Sequence, residues 1–590
     1  TGRGRVGGTA ALRHAPPMNA PIHPSLARTD IRLQVMWNRL LSVVEEQARA
    51  LVRTAFSTSA REAGDISAGV FDLDGRMLAQ AVTGTPGHVN SMARSVVHFL
   101  REFPSETMRP GDHYITNDPW KGTGHLYDIV ITSPAFHDGR LVALFSCTTH
   151  VVDIGGVGQS PEGRQVHHEG LFIPLLPLVR EGAWDESLIR LVRANVREPV
   201  QVEGDIHALV ACNLVGERRL SAMMREHGIA DLDELGHHII GRSRAGMAAE
   251  IAALPQGTWH AAMRTDGFNG LPIDLQAAVT IAGDHVAVDW TGSSGASDFG
   301  INCPMCYTEA YTAFGVKCVV GAAIPNNAGT LDAVHVTAPE GTIVNAPFPA
   351  AVNARSTIGH MLPDVVYGAL HQCIPGRVPA EGTSNLWNLK LGAGHGITGP
   401  TTRPFMVTTF HSGGAGARPT LDGLSATPFP SGVRNVPVEI TETVAPVVIW
   451  KKEYRAGSGG AGAQRGGLGQ VMEVEHRHGE PFGIFATFER VHFPARGREG
   501  GGPGAAGRLG LANGTVFRGK GFQVVPAGER LVVEMPGGGG YGPPAARDPA
   551  KAARDLALGL VAEEKSPRLH DGAPGRRVPA RAEDPEREPS

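Results

Sequence analysis

Two glycine-rich stretches toward the C-terminal end constrain this chain more than any other feature. Gly457-Ser458-Gly459-Gly460 leads on through Arg465-Gly466-Gly467-Leu468-Gly469, and Gly537 to Gly540 precede Tyr541. Glycine loses more backbone freedom on folding than any other residue and weakens helix and strand interiors. Such segments are expected in long loops, or where two backbones approach with no side chain between them. The chain holds 77 glycines, concentrated in its C-terminal half. The runs are read as turns at the rim of a β-domain, with a cradle of backbone N–H groups around an anion as the alternative.

A length of 590 residues exceeds one hydrophobic core, so two to four domains are expected. Hydrophobic residues make up 42% and charged residues 19%, the balance of an ordinary globular protein. The formal net charge of −4 leaves no electrostatic footprint for nucleic acid or an anionic membrane. No apolar run reaches the roughly 18 residues of a membrane span, and no signal segment opens the sequence. Six scattered cysteines (147, 212, 303, 306, 318 and 373) do not form a disulfide framework, so a cytoplasmic location is expected. Residues 1–17 are Gly/Arg-rich without periodicity, and Met18 is a candidate start.

Periodicity supplies the elements. Residues 31 to about 58 place Leu33, Met36, Trp37, Leu40, Leu41, Val44 and Ala48 at helical spacing. Residues 65–82 turn at Asp74-Gly75 and read as a hairpin, and 88–99 as a helix. A strand over 113–116 leads to the loop 117–125. A second hairpin, 129–136 and 141–147, turns at His137-Asp138-Gly139. Residues 185–195, 203–226 and 232–253 read as helices, 258–294 as strands, and 307–321 and 358–373 as helices. Short strands follow, with a closing helix at about 548–562. The expected fold class is α+β: multi-domain, with mixed β-sheets, a helical insert and a Gly-rich, mainly β C-terminal region. The expected division is a disordered extension over 1–27, a metal-site α+β domain over 28–255 and an α+β middle domain over 256–380. A mainly β domain over 381–567 and a disordered tail over 568–590 complete it.

The second hairpin joins two His-x-x-Asp units, His125…Asp128 and His150…Asp153. Imidazole and carboxylate suit zinc, manganese and iron. The hairpin folds the chain back so that Asp128 and His150 approach each other. His125, Asp128 and His150 make a candidate set of three ligands, leaving a position open for substrate. Asp118, Asp153, Asp65 and His88 are candidates for a second ion or for outer partners that orient the imidazoles. A chain with 25 histidines also meets this spacing by chance, and on spacing alone the reading in which these histidines only pack stays open.

Other motifs carry less. Cys303-Pro304-Met305-Cys306 lacks the βαβ context of a redox pair. Gly514 to Gly521 mimics a phosphate loop but lacks the Ser/Thr that would bind magnesium, and strands follow it. His167-His168-Glu169 lacks the second histidine one turn away that a zincin needs.

Together with these residues, an ordered series of motifs resembles the hydantoinase B/oxoprolinase family over about residues 28–565. The series is Gly64-Asp65-Ile66-Ser67-Ala68, Gly87-His88-Val89, Gly111-Asp112, Asn117-Asp118-Pro119, Glu169-Gly170-Leu171, Asp289-x-Thr291-Gly292, Ile324-Pro325-Asn326-Asn327, Ala338-Pro339-Glu340-Gly341, Pro349-Ala350-Ala351-Val352-x-x-Arg355 and Gly538-Gly539-Gly540-Tyr541-Gly542. The resemblance implies a divalent metal on His125, Asp128 and His150. It also implies a partner subunit of the hydantoinase A type that binds ATP and magnesium, in a hetero-oligomer. Two departures stand out. Gly122-Thr123-Gly124-His125 replaces Gly-Gly-Thr-His and leaves the ligand in place. Gly457-Ser458-Gly459-Gly460 replaces Asp-Ser-Gly-Gly and removes a carboxylate.

The activity this implies is ATP-dependent hydrolysis of a cyclic amide such as a hydantoin, 5-oxoproline or another lactam. The partner's ATP would phosphorylate the carbonyl oxygen, and metal-bound hydroxide would open the ring. Asp153 or His88 would shuttle the proton. The alternatives are a subunit of an ATP-dependent ketone carboxylase of acetone or acetophenone type, and a non-catalytic scaffold subunit.

Overall fold

The computed structural model describes residues 24–561. The expected tail at 568–590 and most of the expected extension lie outside this range. Residues 24–27 do not belong to an extension: they form the first turn of a helix over Pro24–Thr54. One face of that helix buries Met36, Leu40, Val43, Val44, Ala48 and Leu51.

The first sheet contains β1 (Ile66–Phe71), β2 (Met77–Gln80), β3 (His113–Thr116), β4 (Asp128–His137), β5 (Arg140–His150), β6 (Leu176–Arg180) and β7 (Ala183–Trp184). Their spatial order is β2-β1-β5-β4-β3-β6-β7. Neighbouring strands all run antiparallel. Helices Pro24–Thr54 and Pro199–His227 cover one face, where Val70, Ala143 and Phe145 meet Leu40, Val44 and Leu220. Helix Pro86–Glu102 covers the other, where Phe71, Val130 and Leu144 meet Val89, Met92 and Phe99. Coverage of both faces explains why β1, β3 and β4 are buried along almost their whole length.

The helices Glu186–Asn195, Pro199–His227 and Asp233–Ala252 coincide with the expected insert. The longest of them is part of the first core and shields the sheet. A second core gathers on β8 (Gly257–Phe268), β9 (Leu271–Ala282), β10 (His285–Asp289) and β11 (Val334–Thr337), ordered β11-β10-β9-β8. Helices Met305–Val319 and Leu362–Leu370 pack on it through Tyr311, Val316, Leu362 and Val366.

The C-terminal region contributes β12 (Leu389–Ala393), β13 (Phe405–Thr409), β14 (Val447–Tyr454), β15 (Gln470–His476), β16 (Phe482–Thr487), β17 (Arg508–Leu511), β18 (Lys520–Val525) and β19 (Leu531–Glu534). They form two four-stranded sheets, β13-β12-β16-β18 and β14-β15-β19-β17. Leu389, Leu391, Phe482 and Ile484 of one face Met472, Val474, Leu531 and Val533 of the other across a shared apolar layer.

The glycine runs differ from the expected rim turns. Residues 413–416, 458–469, 497–504 and 536–540 lie against one another as a mostly buried layer, joined backbone to backbone. Gly460 N donates to Gly538 O at 2.9 Å, Gly467 N to Ala415 O at 2.9 Å, Gly538 N to Gly467 O at 3.0 Å and Gly540 N to Gly502 O at 2.9 Å. A Cβ added at Gly466 would sit 1.9 Å from Gly538 O, and one at Gly414 would sit 1.8 Å from Gly467 O. Close approach of these backbones is the physical reason for the composition.

Candidate metal centre

Asp128 opens β4 and His150 ends β5, and the register of the hairpin places them directly opposite each other. His125 stands three residues earlier, in the loop that enters β4. The three side chains offer ligand atoms that all lie within 4.8 Å of one another, and all three are buried. His125 Nε2 is 2.8 Å and His150 Nδ1 3.0 Å from the same oxygen, Asp128 Oδ1. Asn353 O lies 3.0 Å from His125 Nδ1, so Nδ1–H donates outward and the Nε2 lone pair faces Asp128. That second partner sets the tautomer a metal ligand needs.

The other carboxylate oxygen, Oδ2, receives Arg355 Nη2 at 2.5 Å, Thr123 Oγ1 at 2.8 Å and His88 Nε2 at 3.0 Å. Burial alone would push the Asp128 pKa up, but the surrounding His125, His88 and Arg355 outweigh it and hold the carboxyl well below its usual range, with the standing charge coming from Arg355 once His125 is neutral. His125 goes down to about 3, first through burial and then through the Arg355 charge. The pair therefore consists of a carboxylate and a neutral imidazole, the protonation states a divalent metal requires. Burial opposes charge on His88, yet Asp128 and Asp65 raise its pKa. Gly124 is needed here, since at φ +96° its Cβ would lie 2.6 Å from Arg355 Cδ.

The remaining expected residues divide. His88 reaches Asp128 from the first turn of helix Pro86–Glu102. Asp65 stands behind it, 3.4 Å from His88 Nδ1, and accepts from Thr85 Oγ1 at 2.8 Å. It reaches the group of His125, Asp128 and His150 only through His88. Asp118 is not brought in: its carboxylate accepts from Trp120 N at 2.9 Å, within its own turn. Asp153 is a correction. Its two oxygens receive Arg197 N at 2.5 Å and Arg197 Nη1 at 2.8 Å. This buried carboxylate is committed to Arg197, which stands in the link between helices Glu186–Asn195 and Pro199–His227, so the ion pair ties one loop to another.

The cavity beside the three ligands is small, about 40 Å³, and every region of the chain contributes to its wall. The first gives Asp65, His88, His125, His150 and Gln159, the second Tyr307, Asn353, Arg355 and His360, and the third Asn388, Lys390, Phe410 and Ser431. Gln159 Nε2 bonds to His150 Nε2. Gln159 Oε1, Asn353 Oδ1, His360 Nδ1 and Asn388 Oδ1 are buried with no hydrogen-bond partner. Such a surplus of aimed polar atoms, with two neutral-capable imidazoles and a carboxylate, fits a divalent ion with a polar ligand. Sequence reasoning missed Gln159, Asn353, His360, Asn388 and Lys390 because nothing in their local spacing links them to residue 125. Arg355 carried a signal, since it closes the motif that starts at Pro349.

Comparison with known proteins follows the same outline. The family model Hydantoinase B/oxoprolinase matches residues 29–544. Caprolactamase subunit beta of Pseudomonas jessenii is 30% identical over 562 residues, covering 90% of this chain and 94% of that protein. A chain in the crystal structure of the ATP-dependent caprolactamase from that organism superposes with a TM-score of 0.83 at 28% identity, covering 92% and 95%. The 5-oxoprolinase PfmaA of Pestalotiopsis fici is 27% identical over 87% of this chain, which spans only 41% of that protein. Nucleotide-free acetone carboxylase shares the fold, with a TM-score of 0.81 at 19% identity over 91% and 79% of the two chains. Among the described residues no helix is long and apolar enough to cross a membrane. By the match to its family model and by the architecture that carries it, this chain belongs to the hydantoinase B/oxoprolinase family.

Proposed function

We propose that this chain is the metal-bearing subunit of an ATP-dependent cyclic amide hydrolase, acting on a hydantoin, 5-oxoproline or another lactam. The observation that carries the reading is the buried convergence of His125, Asp128 and His150 beside a polar cavity that the two histidines line. These three residues would hold a divalent zinc, manganese or iron ion, which supplies Lewis acidity toward a carbonyl or phosphoryl oxygen. Asn353 keeps His125 in its ligand tautomer, and Arg355 keeps Asp128 ionised. His88, bonded to Asp128 Oδ2 and backed by Asp65, holds a proton at Nε2 beside the cavity. Burial of the whole set excludes bulk water.

An unactivated cyclic amide is a poor electrophile, and activation is assigned to an ATP- and magnesium-binding partner of the hydantoinase A type in a hetero-oligomer. The relative named as a subunit beta supports a partner. Free cysteines throughout the described chain support a cytoplasmic setting. The test is metal content and turnover of the chain purified with its partner, beside His125→Ala and His150→Ala. Near-stoichiometric metal lost in both variants, with ATP-dependent ring opening lost alongside, is expected. Wild-type protein that binds no metal, or that opens the ring at full rate in either variant, would refute the assignment.

A further inference from the structure

The cavity beside His125, Asp128 and His150 is lined by a buried amine, Lys390, that this group does not use. Along β12, Leu389 and Leu391 face the apolar layer between the two C-terminal sheets, so Asn388 and Lys390 project to the opposite side. There both line the cavity that His125 and His150 line. Lys390 is only 5% exposed. Its one side-chain hydrogen bond goes to Thr487 Oγ1 at 3.1 Å, which leaves two of the three ammonium donors uncommitted. Among the described residues no carboxylate pairs with it within 4.0 Å, unlike Lys520 with Glu489 at 2.6 Å. The acids nearest the cavity are occupied, Asp128 by Arg355 and three histidines and Asp65 by Thr85 and His88. Burial and the Arg355 charge push the Lys390 pKa down to about 7, so an anion beside it is what would hold the amine in its charged form.

Two neighbours add donors. Tyr307 OH lies 3.3 Å from His360 Nε2. With that hydroxyl donating, the neutral imidazole carries its proton on Nδ1, a buried atom with no partner. The Asn388 amide, whose Oδ1 is likewise unpartnered, presents its NH2 when turned about the terminal bond. A cavity of about 40 Å³ has room for about one to three water-sized groups, the scale of an oxyanion rather than of a whole substrate ring.

We propose that Lys390, with His360 Nδ1–H and Asn388 beside it, is an oxyanion site of the metal cavity that takes the phosphoryl group of the activated amide. The inference deepens the hydrolase reading and rests on it for the source of the phosphoryl group. A carboxylate on the substrate would present similar oxygens, so the test separates the two.

The experiment is calorimetric titration of inorganic phosphate, and separately of acetate, into the full chain loaded with zinc, as wild type, Lys390→Met and Lys390→Arg. Phosphate is expected to bind the wild type more tightly than acetate, and Lys390→Met to weaken it at least about tenfold through loss of a charge-assisted hydrogen bond. Lys390→Arg is expected to keep most of the affinity. Equal phosphate affinity in wild type and Lys390→Met overturns the site. Acetate binding as tightly as phosphate overturns the phosphoryl assignment. Should Lys390→Met not purify folded, Lys390→Gln carries the same comparison. Failure of the hydrolase reading looks different: phosphate binds through Lys390, but the complex with its partner hydrolyses no cyclic amide with ATP.

Discussion

Arg355 ties several parts of the site together. It is 3% exposed, donates to Thr123 O at 2.7 Å and to Asp128, and stacks 4.0 Å from the centre of the Tyr307 ring. Removing it takes from the buried Asp128 charge the arginine that touches it at 2.5 Å. Arg355→Ala is expected to lose about 3–5 kcal/mol in chemical denaturation. Arg355→Lys should recover only part of this, because an ammonium cannot serve the carbonyl, the carboxylate and the ring face together. Glu169 makes the second prediction at this scale. Its Oε1 accepts the N–H groups of Val352 and Asn353 at 2.8 Å each, fixing the turn whose Asn353 carbonyl orients His125. Burial raises its pKa from 4.5 to about 8, against the pull of those two donors. The folded state therefore binds more protons than the unfolded state between those values, and stability falls as pH rises across that window. Glu169→Gln should flatten the pH profile of the thermal midpoint there; an unchanged slope would remove Glu169 as its source.

At the scale of elements, the hairpin of β4 and β5 was legible and its consequence followed. A turn at Asp138-Gly139 and two apolar arms specify antiparallel pairing, and that pairing sets Asp128 opposite His150. His125 was legible for the same reason, being local to Asp128. Asp118 and Asp153 were not, because a side chain's direction depends on partners distant in sequence, such as Arg197 for Asp153. The glycine layer was half legible. The composition shows that side chains are excluded, but not that four segments supply each other's hydrogen bonds. Gly466→Ala or Gly414→Ala should yield little folded protein on expression, since the new methyl meets a carbonyl oxygen at 1.9 Å or 1.8 Å. Gly376→Ala, which meets nothing within 4 Å, should stay within about 0.5 kcal/mol of wild type. Comparable yields from all three would discount the packing argument.

Across the whole molecule, the regions are joined by buried ions as well as by apolar contact. Glu489, beyond β16, accepts from Asp266 N at 2.9 Å, and Asp266 in β8 accepts from Val491, His492 and Phe493 N at 2.7, 2.9 and 3.1 Å. Lys520 completes the joint. Glu489→Ala should lose about 3–5 kcal/mol by leaving a buried lysine unpaired. Separation of one cooperative unfolding transition into two, read by calorimetry, would mark this joint as what couples the sheets. Cross-chain assembly also explains why the far wall of the cavity was illegible: Lys390 and Asn388 sit on an ordinary strand pattern, and only tertiary packing turns that face toward His125.

The glycine layer has a consequence for inheritance. Every missense change of a glycine codon produces a residue with a Cβ, and at Gly414, Gly459, Gly460, Gly466, Gly467 and Gly537 to Gly540 that Cβ would lie within 2.4 Å of a neighbouring backbone atom. At those glycines the gene can drift only through synonymous substitutions, while exposed neighbours such as Ala461 stay free to change. Laboratory evolution of this protein toward new substrates would have to route its variation through the cavity walls and leave those glycines untouched.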